Sequence, residues 1–186
     1  MKKIILSTAI AFFTLLNVSA QDDTSTSSNT TFGVKAGFNS FIARASADGA
    51  SASANASGFY FGVFADIEVA DKFNIQPELQ YISISEGGGS GNVLAIPIMG
   101  KYKVADKFSL LAGPQFDLIL DDSEGLKKLG LGLGLGMAYD ISDDFFLDMR
   151  YSFGLSNRLD DNDEEFGDID VNVKFNYFQV GLGYKF

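Results

Sequence analysis

The chain has 186 residues, a formal net charge of −10, no cysteine and no histidine. The acidic balance argues against nucleic acid as a partner, because phosphate binding needs a basic surface. Without cysteine there is no disulfide staple and no lipid attachment through a thiol. Without histidine, Ser-His-Asp hydrolysis, most zinc sites and the usual neutral-pH proton shuttle are excluded.

The first twenty residues predict a signal peptide over 1–20. Lys2 and Lys3 form a basic start, Ile4 to Leu16 is mostly apolar, and Val18-Ser19-Ala20 suits cleavage after about Ala20. An uncleaved anchor is the alternative, but the apolar run is short and ends in small residues. Residues 21–30, QDDTSTSSNT, predict a disordered periplasmic N-terminal tail. Beyond the leader no apolar run approaches the roughly 18 residues of a membrane helix. Yet hydrophobic residues make up 46% of the chain and aromatics 13%, so the apolar material is distributed in short pieces.

Those pieces alternate with a period of two, which belongs to strands. Phe32, Val34, Ala36 and Phe38 oppose Gly33, Lys35, Gly37 and Asn39. Phe59 to Ile67 opposes Tyr60 to Glu68 in the same way, and Phe73, Ile75, Pro77, Leu79 and Tyr81 oppose Asn74, Gln76, Glu78 and Gln80. Then come Leu94 to Val104 and Phe108 to Leu118. In Leu129 to Ile141 the leucines Leu129, Leu131, Leu133 and Leu135 alternate with Gly130, Gly132, Gly134 and Gly136. Phe145 to Leu155 and Phe178 to Phe186 complete the set. Eight segments of roughly nine or more residues match the span of tilted strands crossing a bilayer. Upstream of Asn176 the apolar parity switches to Val171, Val173, Phe175 and Tyr177, which predicts a bulge or an extension beyond the membrane.

The connections alternate too. VADKF occurs at 69–73 and at 104–108, and ISDDF at 141–145 is a variant. Their flanking apolar residues share a face only if the turn has an odd number of residues, most simply three. The stretches 43–57, 85–92, 121–128 and 156–170 are longer and very polar, and 43–57 predicts a mobile loop. Short turns at one end and long loops at the other are the signature of an outer-membrane barrel with periplasmic termini. The expected fold is therefore all-β: an eight-stranded antiparallel up-and-down transmembrane β-barrel over 31–186.

A soluble ligand-binding barrel alternates as well, with its apolar face inward. Here one face is apolar throughout and the other is rich in glycine and charge, too polar for a dry core. Aromatics gather near strand ends at Phe73, Tyr81, Tyr102, Phe108, Tyr139, Phe145, Tyr184 and Phe186, as interfacial girdles require.

The stretches GVKAGFN (33–39), QPELQY (76–81), IPIMGKY (96–102), AGPQF (112–116) and DMRYSFGLSN (148–157) resemble the bacterial outer-membrane β-barrel family often labelled PorT-like, among the small eight-stranded barrels of OmpX and OmpA type. The resemblance covers nearly the whole chain after the leader. It implies insertion by the barrel assembly machinery, with Leu182, Tyr184 and Phe186 in the terminal GLGYKF as the insertion signal. It implies no activity, although one namesake belongs to a protein-secretion system. Pro77, Pro97 and Pro114 fall inside strands, where each removes a ladder hydrogen bond, and local bulges are the expected accommodation.

Eight strands enclose a lumen that side chains fill. Lys35, Glu78, Lys101, Asp148 and Arg150 are the expected charge network, within a larger set that includes Asp66, Glu68, Lys103, Asp117, Asp140 and Lys185. Glu78 and Lys101 are expected at similar heights, and Arg150 opposite Gly136. The lumen-facing glycines Gly130, Gly132, Gly134 and Gly136 are expected to make room for Phe146 and Arg150. These charges read as a structural plug of ion pairs, with a proton or small-ion path as the lesser alternative. The acidic stretch with Asp160, Asp161, Asp163, Glu164, Glu165, Asp168 and Asp170 reads as a solvated loop; a calcium site is the alternative, but the sixth-position glycine of an EF-hand is missing when counted from Asp160 or Asp161. No catalytic residue, metal site or cofactor is expected. The partners expected are outer-membrane lipid, the assembly machinery and an unidentified envelope protein.

Overall fold

The computed structural model describes residues 30–47, 50–86, 89–121, 125–159 and 171–186. They form β1 (Thr30–Ala47), β2 (Ala50–Ala70), β3 (Phe73–Glu86), β4 (Gly89–Ala105), β5 (Phe108–Ile119), β6 (Leu129–Asp140), β7 (Phe145–Gly154) and β8 (Asn172–Lys185). Neighbours in sequence are neighbours in the sheet, and β1 pairs antiparallel with β8 to close an eight-stranded barrel. Closure follows from the period-two pattern. Each strand must turn its apolar residues to one side, and a closed ring is the arrangement without free edges inside lipid.

The apolar parity faces outward. Phe38, Phe61, Val63, Leu110, Leu131, Leu133, Leu135, Leu147 and Phe153 are exposed around the belt. Cross-strand aromatic pairs ring the short-turn end, with Phe73 opposite Tyr102, Phe108 opposite Tyr139 and Phe145 opposite Tyr184.

The turns differ from the sequence expectation in detail. Both VADKF segments are two-residue turns, Asp71-Lys72 and Asp106-Lys107, preceded by a register shift between Glu68 and Ala70 and between Lys103 and Ala105. The skipped residues, Val69 and Val104, restore the parity that a three-residue turn would have kept. The Ile141–Phe145 connection is a three-residue turn closed by Ile141 N–H donating to the Phe145 carbonyl at 2.8 Å.

The prolines sit in unbulged strands, contrary to expectation. Phe64 pairs with Glu78 and Ile67 with Ile75, so the register is the same on both sides of Pro77. The pairs Pro77–Ile98 and Gln80–Ala95, and Pro97–Gln115 and Gly100–Ala112, behave likewise. Pairing lapses locally at each site and resumes in step. Neighbouring contacts hold the register through the gap.

Two of the expected loops are strand. β1 and β2 pair continuously from Thr30–Ile67 up to Ala47–Ala50, so most of 43–57 is a hairpin that projects beyond the barrel rim. β3 and β4 pair up to Glu86–Gly89, which shortens the 85–92 loop in the same way. Alanine and serine compete weakly with strand geometry, and the edge that β8 offers to β1 supports the extension as far as Ser46–Asn172. β8 pairs with β1 without a break through Asn176. The parity change there is an extension and not a bulge. The signal segment, most of the tail and residues 160–170 of the acidic loop lie outside the described residues.

Candidate functional site: the barrel lumen

The inward parity delivers one side chain per two residues from every strand to a shared axis. At its centre is Glu78 of β3, fully buried. Arg150 of β7 donates to both carboxylate oxygens, at 3.1 and 2.8 Å. Lys35 of β1 lies 2.8 Å from Oε2. Gln76 and Gln80 add donors from either side at 2.8 and 2.5 Å. Asp148 completes the group, 3.3 Å from Arg150 and 3.5 Å from Lys35. Two cations meet two carboxylates, so the quartet is formally neutral. Charges this deep are tolerable only with that balance and with hydrogen bonds to the remaining lone pairs.

Lys101 does not join this group. It is opposite Asn74 in the β3–β4 register and pairs with Asp66 at 2.6 Å, with Asn74 donating to the same carboxylate group. The expectation of similar heights fails, because Lys101 lies opposite Asn74, nearer the short turn than Glu78, which instead reaches across the lumen to Arg150. A second pair, Lys185 with Asp140 at 2.7 Å, sits at the same end. Together with Thr30, Thr31, Glu68, Lys103 and Ser109 these residues line an open polar cavity of about 370 Å³ at the short-turn mouth.

The lumen is less uniformly polar than its sequence face suggested. Phe64, Met99, Leu111, Ala138 and Phe146 form an apolar cluster inside it. Lys101 and Lys185 stand over the Phe146 ring at 5.8 and 5.5 Å. Toward the long-loop end a second cluster gathers Tyr60, Ile82, Ile84, Val93, Ala95, Phe175 and Tyr177, with Phe41 packed against it. At that height polar residues join the outward face: Ser40, Ser57, Ser83 and Asn92 stand beside Phe178 and the exposed Phe59. The outer polarity therefore changes along the barrel. The lower part is apolar outside and mixed within, whereas the upper part is mixed outside and largely apolar within.

The glycines of β6 face inward with different neighbours. Arg150 is paired with Gly136, where an added Cβ would come 2.6 Å from the Met149 carbonyl oxygen. Gly134 faces the flexible end of Met99, and Gly132 the Phe153 carbonyl. Gly130 carries the guanidinium of Arg158 directly over it. Phe146 uses none of this space. Its ring packs against Gly183 of β8.

Arg158 was missed by the sequence reading, which placed it in a polar loop. It is buried, paired with Asp117, bonded to the carbonyls of Lys127 and Lys128 at 3.1 and 3.2 Å, and stacked 4.9 Å from the Phe175 ring. Burial lowers its pKa from the ordinary arginine value, with Tyr177 opposing. Tyr177 also donates to Asp117 at 3.3 Å. The signal available was Gly130 itself. It lies above Gly132–Gly154, the last β6–β7 pair, so a loop residue has to fill the gap.

Of the C-terminal residues, Leu182 and Phe186 are exposed on the belt, and Tyr184 contacts Phe145 and Phe186 at 4.9 and 5.4 Å. Among the described residues no acidic or histidine-like cluster could hold a metal ion.

A family model described as "Outer membrane protein beta-barrel domain" matches residues 8–186. Among solved structures, Ail, the attachment invasion locus protein of Yersinia pestis, is similar at 17% identity and a TM-score of 0.56, covering 85% of this chain and 99% of that one. The neisserial surface protein NspA is similar at 16% identity and a TM-score of 0.50, with 85% and 99% covered. At such identities the likeness is one of fold. No curated protein gives a significant sequence match.

Proposed function

We propose a role that starts from family membership: the chain belongs to the outer membrane protein beta-barrel domain family, whose fold crosses lipid with strands. It is a non-enzymatic barrel that carries nothing through its lumen and works through its long-loop end, which faces outward. The neutral Lys35–Glu78–Arg150–Asp148 quartet supports this most directly. It fills the barrel axis with paired side chains, and the Ile82–Phe175 cluster closes the lumen above it. The projecting β1–β2 hairpin supports the outward role. Ala50 to Asn55 pair with β1 on one side and, among the described residues, with nothing on the other. An unguarded edge of small residues is a place where an extended segment of another protein can add.

Two experiments test the reading. The purified protein in planar bilayers should show no steady conductance, and reproducible single-channel steps would overturn the plug. The absence of native cysteine makes Ser53→Cys a unique label. A membrane-impermeant maleimide should reach it on intact cells while Asp71→Cys in a short turn stays dark. The opposite pattern would reverse the orientation and place the termini outside. The PorT-like motifs favour a second reading, an accessory subunit of a secretion or other envelope machine. It predicts co-purification with envelope proteins and a secretion defect on deletion.

A further inference from the structure

Next to the quartet the lumen holds polar atoms that the plug does not satisfy. Asn39 is fully buried, and neither its amide nitrogen nor its carbonyl oxygen has a hydrogen-bond partner among the described residues. Its direct cross-strand neighbour on β8 is Gln179, whose amide donates to Gln80 at 3.1 Å while its Oε1 is unpartnered. The buried Tyr60 hydroxyl is also unpartnered and lies over Gly181, two residues along β8 and opposite Asp148. Asp148 Oδ1 has only the Lys35 ammonium, at 3.5 Å.

We infer that Asn39, Tyr60, Gln179 and Asp148 form a buried hydration site, in which ordered water links the quartet to β1 and β8. Leaving several buried polar atoms unmet in one place costs far more than ordering water there. The chemistry selects water over an ion. Asn39 and Tyr60 each offer a donor and an acceptor, and so does water. A cation would meet the Asn39 amide protons and the ammonium of Lys35. An anion would meet the carboxylates of Asp148 and Glu78. A neutral molecule that donates and accepts at once fits both sets, and water is the smallest such molecule.

The site gives the glycine at 181 a reason. A Cβ there would collide with the Tyr60 hydroxyl and push it out of the polar layer. Tyr60 thus belongs to two layers, with its ring in the apolar cluster above and its hydroxyl in the wet layer below.

A crystal structure of the full barrel at a resolution that shows water is the test. Density for at least two waters is expected within hydrogen-bond distance of Asn39, Tyr60 and Gln179. A dry site would overturn the inference, as would occupation by an ion, recognised by anomalous signal after exchange into rubidium or bromide. Asn39→Leu and Tyr60→Phe give a second measurement. If water meets these groups, both variants should unfold at lower urea in lipid vesicles than the parent. If the groups are bare, removing them relieves a penalty and both midpoints rise, which would equally sink the proposal. The outcome does not depend on what the outward face binds.

Discussion

Arg150 on β7 grips Glu78 on β3 through two parallel hydrogen bonds of 3.1 and 2.8 Å, joining residues 72 apart in the chain and on opposite sides of the lumen. This fork ties two walls of the barrel together, and Lys35 adds a third at 2.8 Å. Removing one member leaves opposite charges buried without their partner, so Glu78→Gln should cost about 3–5 kcal/mol. Urea titration in lipid vesicles measures it. The double variant Glu78→Gln with Arg150→Met should lose much less than the sum of the two single changes. Strict additivity would mean that the two residues do not act as a pair.

The β6 glycines should differ from one another. Gly136→Ala meets a backbone carbonyl that cannot retreat, whereas Gly134→Ala meets the end of Met99, which can. The first should destabilise by about 1–3 kcal/mol as an overpacked site and the second by less. On the same strand, Gly134→Phe should impair folding far more than Leu133→Phe, because only the first side chain points into a filled lumen. Folding yield in vesicles, read by heat-modifiable mobility on gels, distinguishes the two.

Arg158 holds the segment after β7 against the lumen mouth. Arg158→Ala should abolish its bonds to Asp117 and to the Lys127 and Lys128 carbonyls. Protease cleavage at 155–159 should then accelerate at least tenfold while the barrel itself stays folded. Unchanged cleavage would show that Asn157, which accepts from the Val173 and Leu159 N–H groups, and the backbone bonds of residue 158 to Val173 and Lys127 hold the segment without the guanidinium.

The change in outward polarity along the barrel predicts where a charge is tolerated. Leu133→Arg places a guanidinium on the apolar belt and should cost about 2–4 kcal/mol. Ser83→Arg occupies the same outward parity above the belt and should be nearly neutral. Equal penalties at both positions would mean that lipid covers the upper barrel as well.

Length, parity and composition settled much of this protein on their own. A period of two over eight apolar segments leaves one sheet geometry, and the run of Leu129 to Gly136 already separates a lipid side from a crowded side. Those properties are local, because alternation is a consequence of the strand backbone. Strand ends were less legible, since the β1–β2 pairing runs on to Ala47–Ala50, with β8 as a second neighbour of β1 as far as Ser46. Proline accommodation was equally hidden, because the register is held by strands on either side of each gap. Parity already placed the lumen charges on the inner face, but which of them pair was decided by tertiary structure. Lys35, Glu78, Asp148 and Arg150 have no sequence relation that makes them a quartet, and Lys101 has none that sends it to Asp66. Closing the ring brings side chains from distant strands to one axis. The requirement that every charge there find its opposite then chooses the partners.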